Sequence, residues 1–360
     1  MSTFNRFGTP RAYVDMISFH LANGWRDLDD LTIVKTSDGS TIPTFDVGSE
    51  ENLYDMRPSD YAQIANTTKA FRIEFNTGMT PDALSESSFL AILNHNFHSA
   101  DVVLKVEISD EANFDPGDAN YGTLISTTAN HTKVINARAD STANYIDPEF
   151  NGWTLITWTK QTDDNQRVRI TFEDDGGTGN NFDEDVKIGS IMYGEYFDFP
   201  QSPDLDITTT IEYDGTTLIN STGGSTFANS SYLAQPTWSA TNPWTNTDAS
   251  NQQTYGFIRR NGRLRHSMNF SYLADTNIFT ESMHHHDEGS GLSLFYDAET
   301  MHSNFYNRIF GQHLPFLFSI DKDSTSEGDY GMFRLANNSL KTTQVASRTW
   351  NVGLDLVESW

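Results

Sequence analysis

The sequence contains no cysteine, and this absence excludes several kinds of chemistry at once. Without thiols the chain cannot form disulfides, bind zinc through cysteine, hold an iron–sulfur cluster or use a thiolate nucleophile. It also has no apolar run long enough to span a bilayer, and its opening residues, "MSTFNRFGTPRAYVD", lack the apolar region of a signal peptide. We therefore expect a protein that is made in a cytoplasm and has no membrane partner.

Positive charge is scarce as well, with 23 lysine and arginine residues against 49 aspartate and glutamate residues and a formal net charge of −26. Such a surface repels phosphate groups, so we expect no sequence reading of nucleic acid and no docking on an anionic membrane. The excess of acids suits a highly soluble protein. Two further interpretations stay open: acidic loops such as residues 172–185 bind calcium, or the acids form a surface past which DNA slides.

No catalytic set can be identified. Carboxylate pairs are too frequent in so acidic a chain to single one out, and no nucleophile, base and orienting group can be named together. The "GGTG" within residues 172–185 is not followed by a helix pattern, which a dinucleotide fingerprint requires. We therefore predict that the protein is not an enzyme and carries no cofactor.

What the sequence does have is many short segments with the alternation of a β-strand. Hydrophobic residues make up 37% and aromatic residues 12% of the chain, which is enough for a packed core. In "DVVLKVEIS" (residues 101–109) alternation predicts one solvent-facing side and one apolar side, the latter formed by Val102, Leu104, Val106 and Ile108. Similar segments at residues 69–75, 152–158 and 166–173, separated by polar loops, favour an antiparallel β-sandwich.

The second half of the chain predicts another β-rich domain that carries one or two short helices. "LRHSMNFSYLA" (residues 264–274) has the pattern of a strand whose inward positions are His266, Met268, Phe270 and Tyr272. "DAETMHSNFYNRIFG" (residues 297–311) predicts a helix with Asp297 as its cap, Gly311 as its end and an apolar stripe of Met301, Phe305 and Ile309. "RAYVDMISFHL" (residues 11–21), near the start of the chain, fits either a strand or a helix.

The stretch "SMHHHDEGSG" (residues 282–291) raises the question of a metal site. Consecutive residues on a helix point about 100° apart, so three adjacent histidines cannot all face one ion. The candidate ligands are His284, His286 and Asp287, and a further ligand would have to come from elsewhere, such as His302 or His313. Since histidines also favour the C-terminus of a helix, we predict a polar helix end that holds no metal tightly.

"LNHNFHSADVVL" (residues 93–104) places polar residues between two apolar strands. One interpretation is a tight turn between strands that is held by asparagine and histidine side chains. The alternative is a glycan-binding loop made of Asn94, His95, Asn96 and Phe97.

The order of several stretches resembles that of a known family. In the first half these stretches are "FGTPRAYVD", "FLAILNHNFHSADVVLKVEIS" and "KIGSIMYGEYFDFPQSPDL". In the second half "STGGS" is followed by "RLRHSMNFSYL", "FGQHLPFLFSIDKD", "YGMFRL" and "WNVGLDLVES". The chain resembles the tail structural proteins of tailed bacteriophages and is similar to their distal tail, or minor tail, proteins of the baseplate.

This resemblance implies a galactose-binding-like sandwich inserted between two assembly segments. The expected domains are an N-terminal arm and adaptor (residues 1–65), the β-sandwich (66–200) and a C-terminal β-rich assembly domain (201–360). It also implies a virion protein, assembled in the host cytoplasm, that forms a homo-oligomeric ring joining the tail to distal host-recognition parts. The expected partners are further copies of the chain and other tail proteins, with a host surface glycan as another candidate. The alternative is a free-standing carbohydrate-binding module or adhesin.

The N-terminal segment supplies the predicted contacts of such a ring. Aromatic and arginine residues are typical interface anchors, and positive charge suits an acidic neighbour. The predicted interface residues are Phe4, Arg6, Phe7, Arg11 and Tyr13. The alternative is that these side chains pack onto their own subunit. Under the arm interpretation, a chain without residues 1–14 folds but does not assemble.

Overall fold

The computed structural model describes residues 7–24, 32–36, 43–76, 88–109, 114, 122–123, 131–140, 145–149, 152–158, 167–177, 179–213, 216–230, 262–279 and 300–359. The chain is mainly β and its sheets are antiparallel, which confirms the predicted fold class at that level. The described helical elements are α1 (Met16–Asn23), α2 (Phe97–Ala100), α3 (Asp275–Ile278), 3₁₀ turns at Glu50–Leu53, Asn66–Thr68 and Glu327–Asp329, and a π-helix at Met301–Asn307.

The described strands are spread along the whole chain. Up to residue 200 they are β1 (Arg11–Asp15), β2 (Thr32–Thr36), β3 (Phe45–Val47), β4 (Ala62–Ile64), β5 (Ala70–Asn76), β6 (Ser88–Leu93), β7 (Val102–Ser109), β8 (Gly122–Thr123), β9 (His131–Ile135), β10 (Ala137–Asp140), β11 (Tyr145–Pro148), β12 (Trp153–Trp158), β13 (Arg167–Asp174), β14 (Val186–Ile188) and β15 (Ser190–Asp198). After residue 200 they are β16 (Thr208–Glu212), β17 (Thr216–Asn220), β18 (Thr226–Ser230), β19 (Arg263–Ala274), β20 (Phe316–Ser319), β21 (Tyr330–Leu335), β22 (Lys341–Ala346) and β23 (Thr349–Glu358).

The largest sheet has eleven strands and brings together strands from both ends of the chain. Its order is β16-β19-β23-β21-β20-β1-β15-β6-β12-β9, and β22 also pairs with β23. Strand β1 lies in the interior of this sheet, with Arg11 opposite Ser319 of β20 on one side and Asp198 of β15 on the other. The interpretation of these residues as part of an extended arm is therefore wrong.

A second sheet packs against one part of the largest sheet and completes a β-sandwich. It has seven strands in the order β10-β11-β7-β13-β5-β2, with β8 beside β7. Buried side chains of β5, β7 and β13 share one hydrophobic core with those of β6, β12 and β15 from the largest sheet. This core includes the predicted apolar face of β7, so the period of that strand is confirmed. A three-stranded sheet, β14-β4-β3, lies beside the sandwich core, to which it contributes Ile64 and Val186.

The other face of β7 is not the solvent-facing surface that its alternation predicts. Glu107 and Ser109 on that face are only 3% and 0% exposed. The Glu107 carboxylate is paired with Arg169 of β13 at 2.7 Å and with Lys105 at 3.1 Å. The Arg169 guanidinium in turn lies over the ring of Phe114, 4.3 Å from its centre. Lys105 lies on the same strand, but Arg169, which makes the shorter contact, comes from another strand, so local alternation cannot reveal it.

Residues 11–21 form both of the elements that their pattern allows, one after the other. Asp15 ends β1 and caps α1, because its Oδ2 accepts the N–H of Ser18 at 2.9 Å. Its Oδ1 accepts the N–H of Tyr193 in the neighbouring strand at 3.1 Å. One carboxylate thereby stops the strand, starts the helix and ties both to β15.

The division into three domains stays a prediction, but strand pairing crosses both expected boundaries. Strand β1 from the first expected segment lies between β15 of the second and β20 of the third. The sandwich core also contains Leu53 and Ile64, which precede residue 66. One continuous sheet therefore joins the sandwich to the C-terminal β-rich region.

The helix predicted at residues 297–311 keeps its apolar stripe but differs in its start and its geometry. It is a π-helix capped by Thr300, whose hydroxyl oxygen accepts a backbone N–H of the first turn at 3.1 Å. The predicted cap, Asp297, lies outside the described residues. The fully buried side chains are those predicted: Met301, Phe305 and Ile309. The π-helix ends at Asn307 with Arg308 as its cap, whereas Gly311, the predicted end, lies beyond it in a left-handed conformation.

Strand β19 contains an irregularity that its sequence pattern does not predict. His266, Met268 and Phe270 are buried as expected, but Tyr272 is 77% exposed. The pairing with β23 shifts between Phe270 and Leu273, and Tyr272 has a positive φ of 60°. Leu273 takes the inward place instead, because a β-bulge reverses the side-chain alternation beyond it.

Candidate functional site

Strands β17 and β18 form a two-stranded hairpin that pairs with no other strand among the described residues. Ile219 lies opposite Phe227, so these two side chains share one face. In the five-residue loop, "STGGS", the N–H of Ser221 donates to the carbonyl of the loop's last residue at 2.8 Å. Gly224 has a φ of 84°, which glycine adopts without steric cost. Two strand-forming segments and this loop are enough to form the hairpin locally.

The hairpin carries exposed apolar side chains on both faces. Ile219 and Phe227 are 62% and 63% exposed on one face, and Leu218 is 64% exposed on the other. Every residue of β17 is exposed. A lone two-stranded hairpin is marginally stable in water. Removing its exposed apolar surface from water stabilises it by about 25 cal/mol per Å². The element therefore has the properties of a surface that binds a partner.

Strand β16 lies directly before the hairpin and forms one end of the largest sheet. It pairs with β19, and no described strand pairs with its outer edge. Ile211 on this strand and Tyr213 just beyond it are 58% and 54% exposed. We define the hairpin surface as residues 208–213 together with residues 216–230.

Two residues of β16 present their backbone polar groups to the open edge. Leu264 of β19 donates its N–H to a carboxylate of β23, away from β16. Successive N–H groups of a strand alternate in direction, so the N–H of Arg265 points towards β16, where it faces Thr210. Two residues that lie opposite one another in an antiparallel pair either exchange both backbone hydrogen bonds or exchange none, so Thr210 also points its backbone groups towards β19. Its neighbours Thr209 and Ile211 therefore point their N–H groups outward.

The hairpin surface is almost free of negative charge in a strongly acidic chain. Residues 215–247 contain no charged residue. The Glu212 carboxylate on β16 is paired with Arg265 at 3.1 Å. Register places Arg265 and Arg334 on either side of Val357, on one face of the sheet. Within β16, Glu212 has the one charged side chain, and its charge is compensated by Arg265.

Arg11 and Tyr13, two of the predicted interface residues, are enclosed within their own chain. Tyr13 is 0% exposed and packs edge-on against Phe89, with 5.2 Å between ring centres. Arg11 forms a bidentate ion pair with Asp198 of the adjacent strand, at 2.5 and 2.9 Å. The interface interpretation is wrong for both residues, because sheet pairing and burial have already used their side chains.

Of the remaining predicted interface and metal residues, some pack within their own chain and others lie outside the described residues. Phe7 is half-buried and packs edge-on against His266 of its own chain, with 5.2 Å between ring centres. Within the described parts of the chain, no group of three or more metal-ligating side chains is placed to hold an ion. The following candidates lie outside the described residues: Phe4, Arg6, His284, His286 and Asp287.

The proposed glycan-binding loop is a structural turn. Asn94, His95 and Phe97 are at most 2% exposed. The rings of His95 and Phe97 stack with 4.1 Å between centres. Asn94 has a positive φ of 54° and donates its side-chain amide to the carbonyl of Pro58. These side chains are not accessible to a sugar, so the glycan-binding interpretation is wrong for them and the inter-strand turn describes them correctly.

Asn96, the fourth residue of this turn, connects it to the three-stranded sheet. Its side-chain amide donates to the carbonyl of Asp185 at 2.9 Å, and its Oδ1 accepts the N–H of Lys187 at 2.8 Å. Asparagine suits this position because it donates and accepts from one side chain. The polar residues of residues 93–104 thus hold the sandwich to β14 rather than forming a binding site.

His95 makes the stability of the fold dependent on pH. Its Nδ1 accepts the N–H of Phe97 at 3.4 Å and its Nε2 lies 3.0 Å from the hydroxyl of Thr154, so the neutral ring is bonded at both nitrogens. Burial lowers the pKa of His95 to about 3. The unfolded histidine has a pKa near 6.5, so this stability is present above pH 6.5 and is lost as the pH falls towards 3.

We expect the free energy of unfolding to decrease by up to about 1.4 kcal/mol per pH unit from this residue between pH 6.5 and 3. The measurement is urea unfolding at several pH values, for the wild type and for His95→Gln. The free energy of unfolding of the variant should depend less steeply on pH, by a slope that corresponds to about one proton, although the variant is less stable at pH 7. Equal slopes for the two proteins would contradict the assignment.

The acidic loop between β13 and β14 uses a carboxylate to fold its own turn. Asp174 Oδ1 accepts the N–H of Gly176 at 2.9 Å and the side-chain amide of Asn180 at 3.1 Å. The described residues of this loop include no group of three or more metal-ligating side chains placed to hold an ion, so the calcium interpretation has no support there. Among the helices that the structure describes, none combines the length and apolarity that a membrane crossing requires.

No protein-family model, no curated protein and no solved structure matches the chain. The interpretation of function therefore rests on the geometry above. The sequence reasoning did not single out the hairpin surface. A signal for it was present, since Leu218, Ile219 and Phe227 lie in the longest part of an acidic chain without charge.

Proposed function

We propose that this protein is a structural component of a bacteriophage tail or baseplate. In this proposal it forms a homo-oligomeric ring or adaptor that joins the tail to distal host-recognition parts. The observation that carries the proposal is the hairpin surface, where three large apolar side chains of a lone hairpin are each more than 60% exposed. A protein that acts as a monomer has no need for such an exposed element, whereas an assembling subunit covers it.

Three further observations favour assembly. The hairpin is uncharged, so copies that each carry a net charge of −26 can approach one another there. An unpaired sheet edge lies beside it, and unpaired edges readily bind further strands. The sequence also resembles tail proteins along most of its length. Three of the four candidate residues of the glycan-binding alternative, Asn94, His95 and Phe97, are buried in a structural turn.

The test is the mass and shape of the purified protein, measured by light scattering and electron microscopy, together with antibody labelling of tail tips in phage particles. We expect closed rings and labelled tails. A variant that combines Leu218→Ser, Ile219→Ser and Phe227→Ser should be monomeric and should keep its β-type circular dichroism spectrum. The matched control is Val47→Ser in β3, an exposed apolar residue outside the hairpin surface, which should leave the rings intact.

A wild-type protein that stays monomeric and does not label particles would contradict the virion proposal. If that monomer bound immobilised glycans, the free-standing binding module would replace it.

A further inference from the structure

We propose that the β17–β18 hairpin of one copy adds to the open edge of β16 in the next copy, so that the largest sheet continues between subunits. The inference rests on the proposed homo-oligomer and specifies its contact. The occupant of the β16 edge is a second copy of this chain. The contact is formed by backbone hydrogen bonds between strands, and the exposed apolar side chains are buried around them.

The acceptor for this contact is present on β16. The N–H groups of Thr209 and Ile211 point outward, as derived from the direction of the Leu264 N–H. All but the last residue of the strand is exposed, so nothing in the described structure covers this edge. Ile211 adds an exposed apolar side chain beside the unpaired backbone groups.

The hairpin supplies a matching donor edge. Since Ser221 bonds to the last loop residue, alternation makes Ile219 and Phe227 a bonded pair and leaves Leu218 and Ala228 with outward-pointing backbone groups. The two outer edges of the hairpin are therefore open, and each can pair with another strand. Strand β17 starts three residues after Tyr213 and still does not pair with the β16 of its own chain. Among the described residues, the β16 edge and the hairpin of one chain thus have no strand partner, and we assign both to other copies.

Charge favours a second copy as the occupant. Residues 215–247 bring no charge to the contact, so two acidic copies meet there without repulsion. The receiving sheet carries Arg265 and Arg334 on the same face as Thr210. Arg265 is already paired with Glu212 at 3.1 Å, so β16 presents no unpaired carboxylate to the second copy.

The geometry of the contact determines the kind of assembly. The hairpin and the β16 edge are different surfaces, so the contact is heterologous, and heterologous contacts generate rings when the rotation closes. A dimer of reciprocally exchanged hairpins would use the same two surfaces twice, whereas a dimer of like surfaces would pair hairpin with hairpin or edge with edge. The proposal therefore predicts which pairs of residues meet and which do not.

The absence of cysteine allows this to be tested with single engineered thiols. One copy carries Thr210→Cys on β16, and a differently tagged copy carries Thr217→Cys on β17 or Asn229→Cys, the residue opposite it, on β18. The two copies are expressed together, purified as oligomers, and joined by mild oxidation or a short bis-maleimide. We expect a covalent dimer between differently tagged copies in at least one mixed pair, and none when either single-cysteine protein is treated alone.

A second comparison separates backbone pairing from apolar contact. Ile211→Pro removes both the side chain and the outward N–H, whereas Ile211→Ala removes the side chain and keeps the N–H. Neither change removes a bond between β16 and β19, so both variants should keep the wild-type circular dichroism spectrum. We expect proline to raise the concentration needed for assembly at least tenfold above that of the alanine variant.

The outcomes distinguish this inference from the proposed function. Rings that form without any mixed cross-link, or with cross-links between hairpin thiols alone, would overturn the inference and leave the virion proposal standing. Equal effects of the proline and alanine changes would overturn backbone pairing. A monomeric wild type would overturn both proposals.

Discussion

A chain that lacks residues 1–14 is expected not to fold. The deletion removes most of β1, which lies between β20 and β15 in the interior of the eleven-stranded sheet. Ala12, Tyr13 and Val14 are at most 1% exposed. Loss of one buried aromatic side chain alone costs about 3–5 kcal/mol, and a typical domain is stable by about 5–15 kcal/mol in total. The deletion also leaves two neighbouring strands unpaired, so the expected loss exceeds the stability of the fold.

The measurement is circular dichroism with thermal unfolding of the truncated chain beside a matched control that lacks residues 1–6 only. The control keeps Phe7, which packs against a hydrophobic core separate from that of the sandwich. It also keeps Gly8, whose N–H bonds to the carbonyl of Ile320 at 3.0 Å. It should unfold cooperatively close to the wild-type temperature. A 15–360 chain that unfolded cooperatively like the wild type would restore the interpretation of this segment as a detachable arm.

This reversal shows which level of structure the sequence could not provide. The strand character of residues 11–15 is visible locally, and so is the capacity of Asp15 to cap a helix. The burial of Arg11 depends on Asp198, which is 187 positions away in sequence. A strand of five residues can lie in an extended arm or in the interior of a sheet, and its own sequence does not indicate which strands pair with it.

Strand periods were predictable, whereas the environments of the faces were not. The inward face of β7 and the apolar stripe of the π-helix follow from spacing alone, and both are buried as predicted. The outer face of β7 was not predictable, because Arg169 neutralises Glu107 from a different strand. Tyr272 was predicted on the wrong side because a β-bulge has no signature in an alternating pattern.

The candidate site shows the same division. Polar residues in the turn at 94–97 suggested binding, yet they make the bonds that a buried turn requires. The hairpin was covered only by the expectation of a β-rich second half, and its lack of pairing with the other described strands became visible only with the sheet pairing. Composition still contained a usable sign, namely a long uncharged segment within an acidic chain.

Replacing Arg308 with leucine is expected to lower the free energy of unfolding by about 3–5 kcal/mol. Arg308 follows the π-helix and is 2% exposed, and its guanidinium is bonded to the carboxylate of Glu195 on β15, which is 9% exposed. The variant replaces the guanidinium with a shorter apolar side chain and leaves the Glu195 charge buried without this partner. Removing one member of a buried pair costs much more than an exposed ion pair contributes, because the remaining charge loses its hydration without compensation.

A double-mutant cycle identifies the cause. If the loss comes from the uncompensated carboxylate, the double variant Arg308→Leu with Glu195→Leu should be considerably more stable than Arg308→Leu alone, since no buried charge remains. Urea unfolding of the wild type, both single variants and the double variant gives the coupling energy directly. Arg138→Leu is the matched control, because its pair with Asp147 is largely exposed and should contribute at most about 1 kcal/mol. Additive effects of the two leucine changes would show that Arg308 stabilises the fold through its packing rather than through its charge. A coupling of several kcal/mol would instead establish the Arg308–Glu195 pair as the link that fixes the π-helix to the interior of the eleven-stranded sheet.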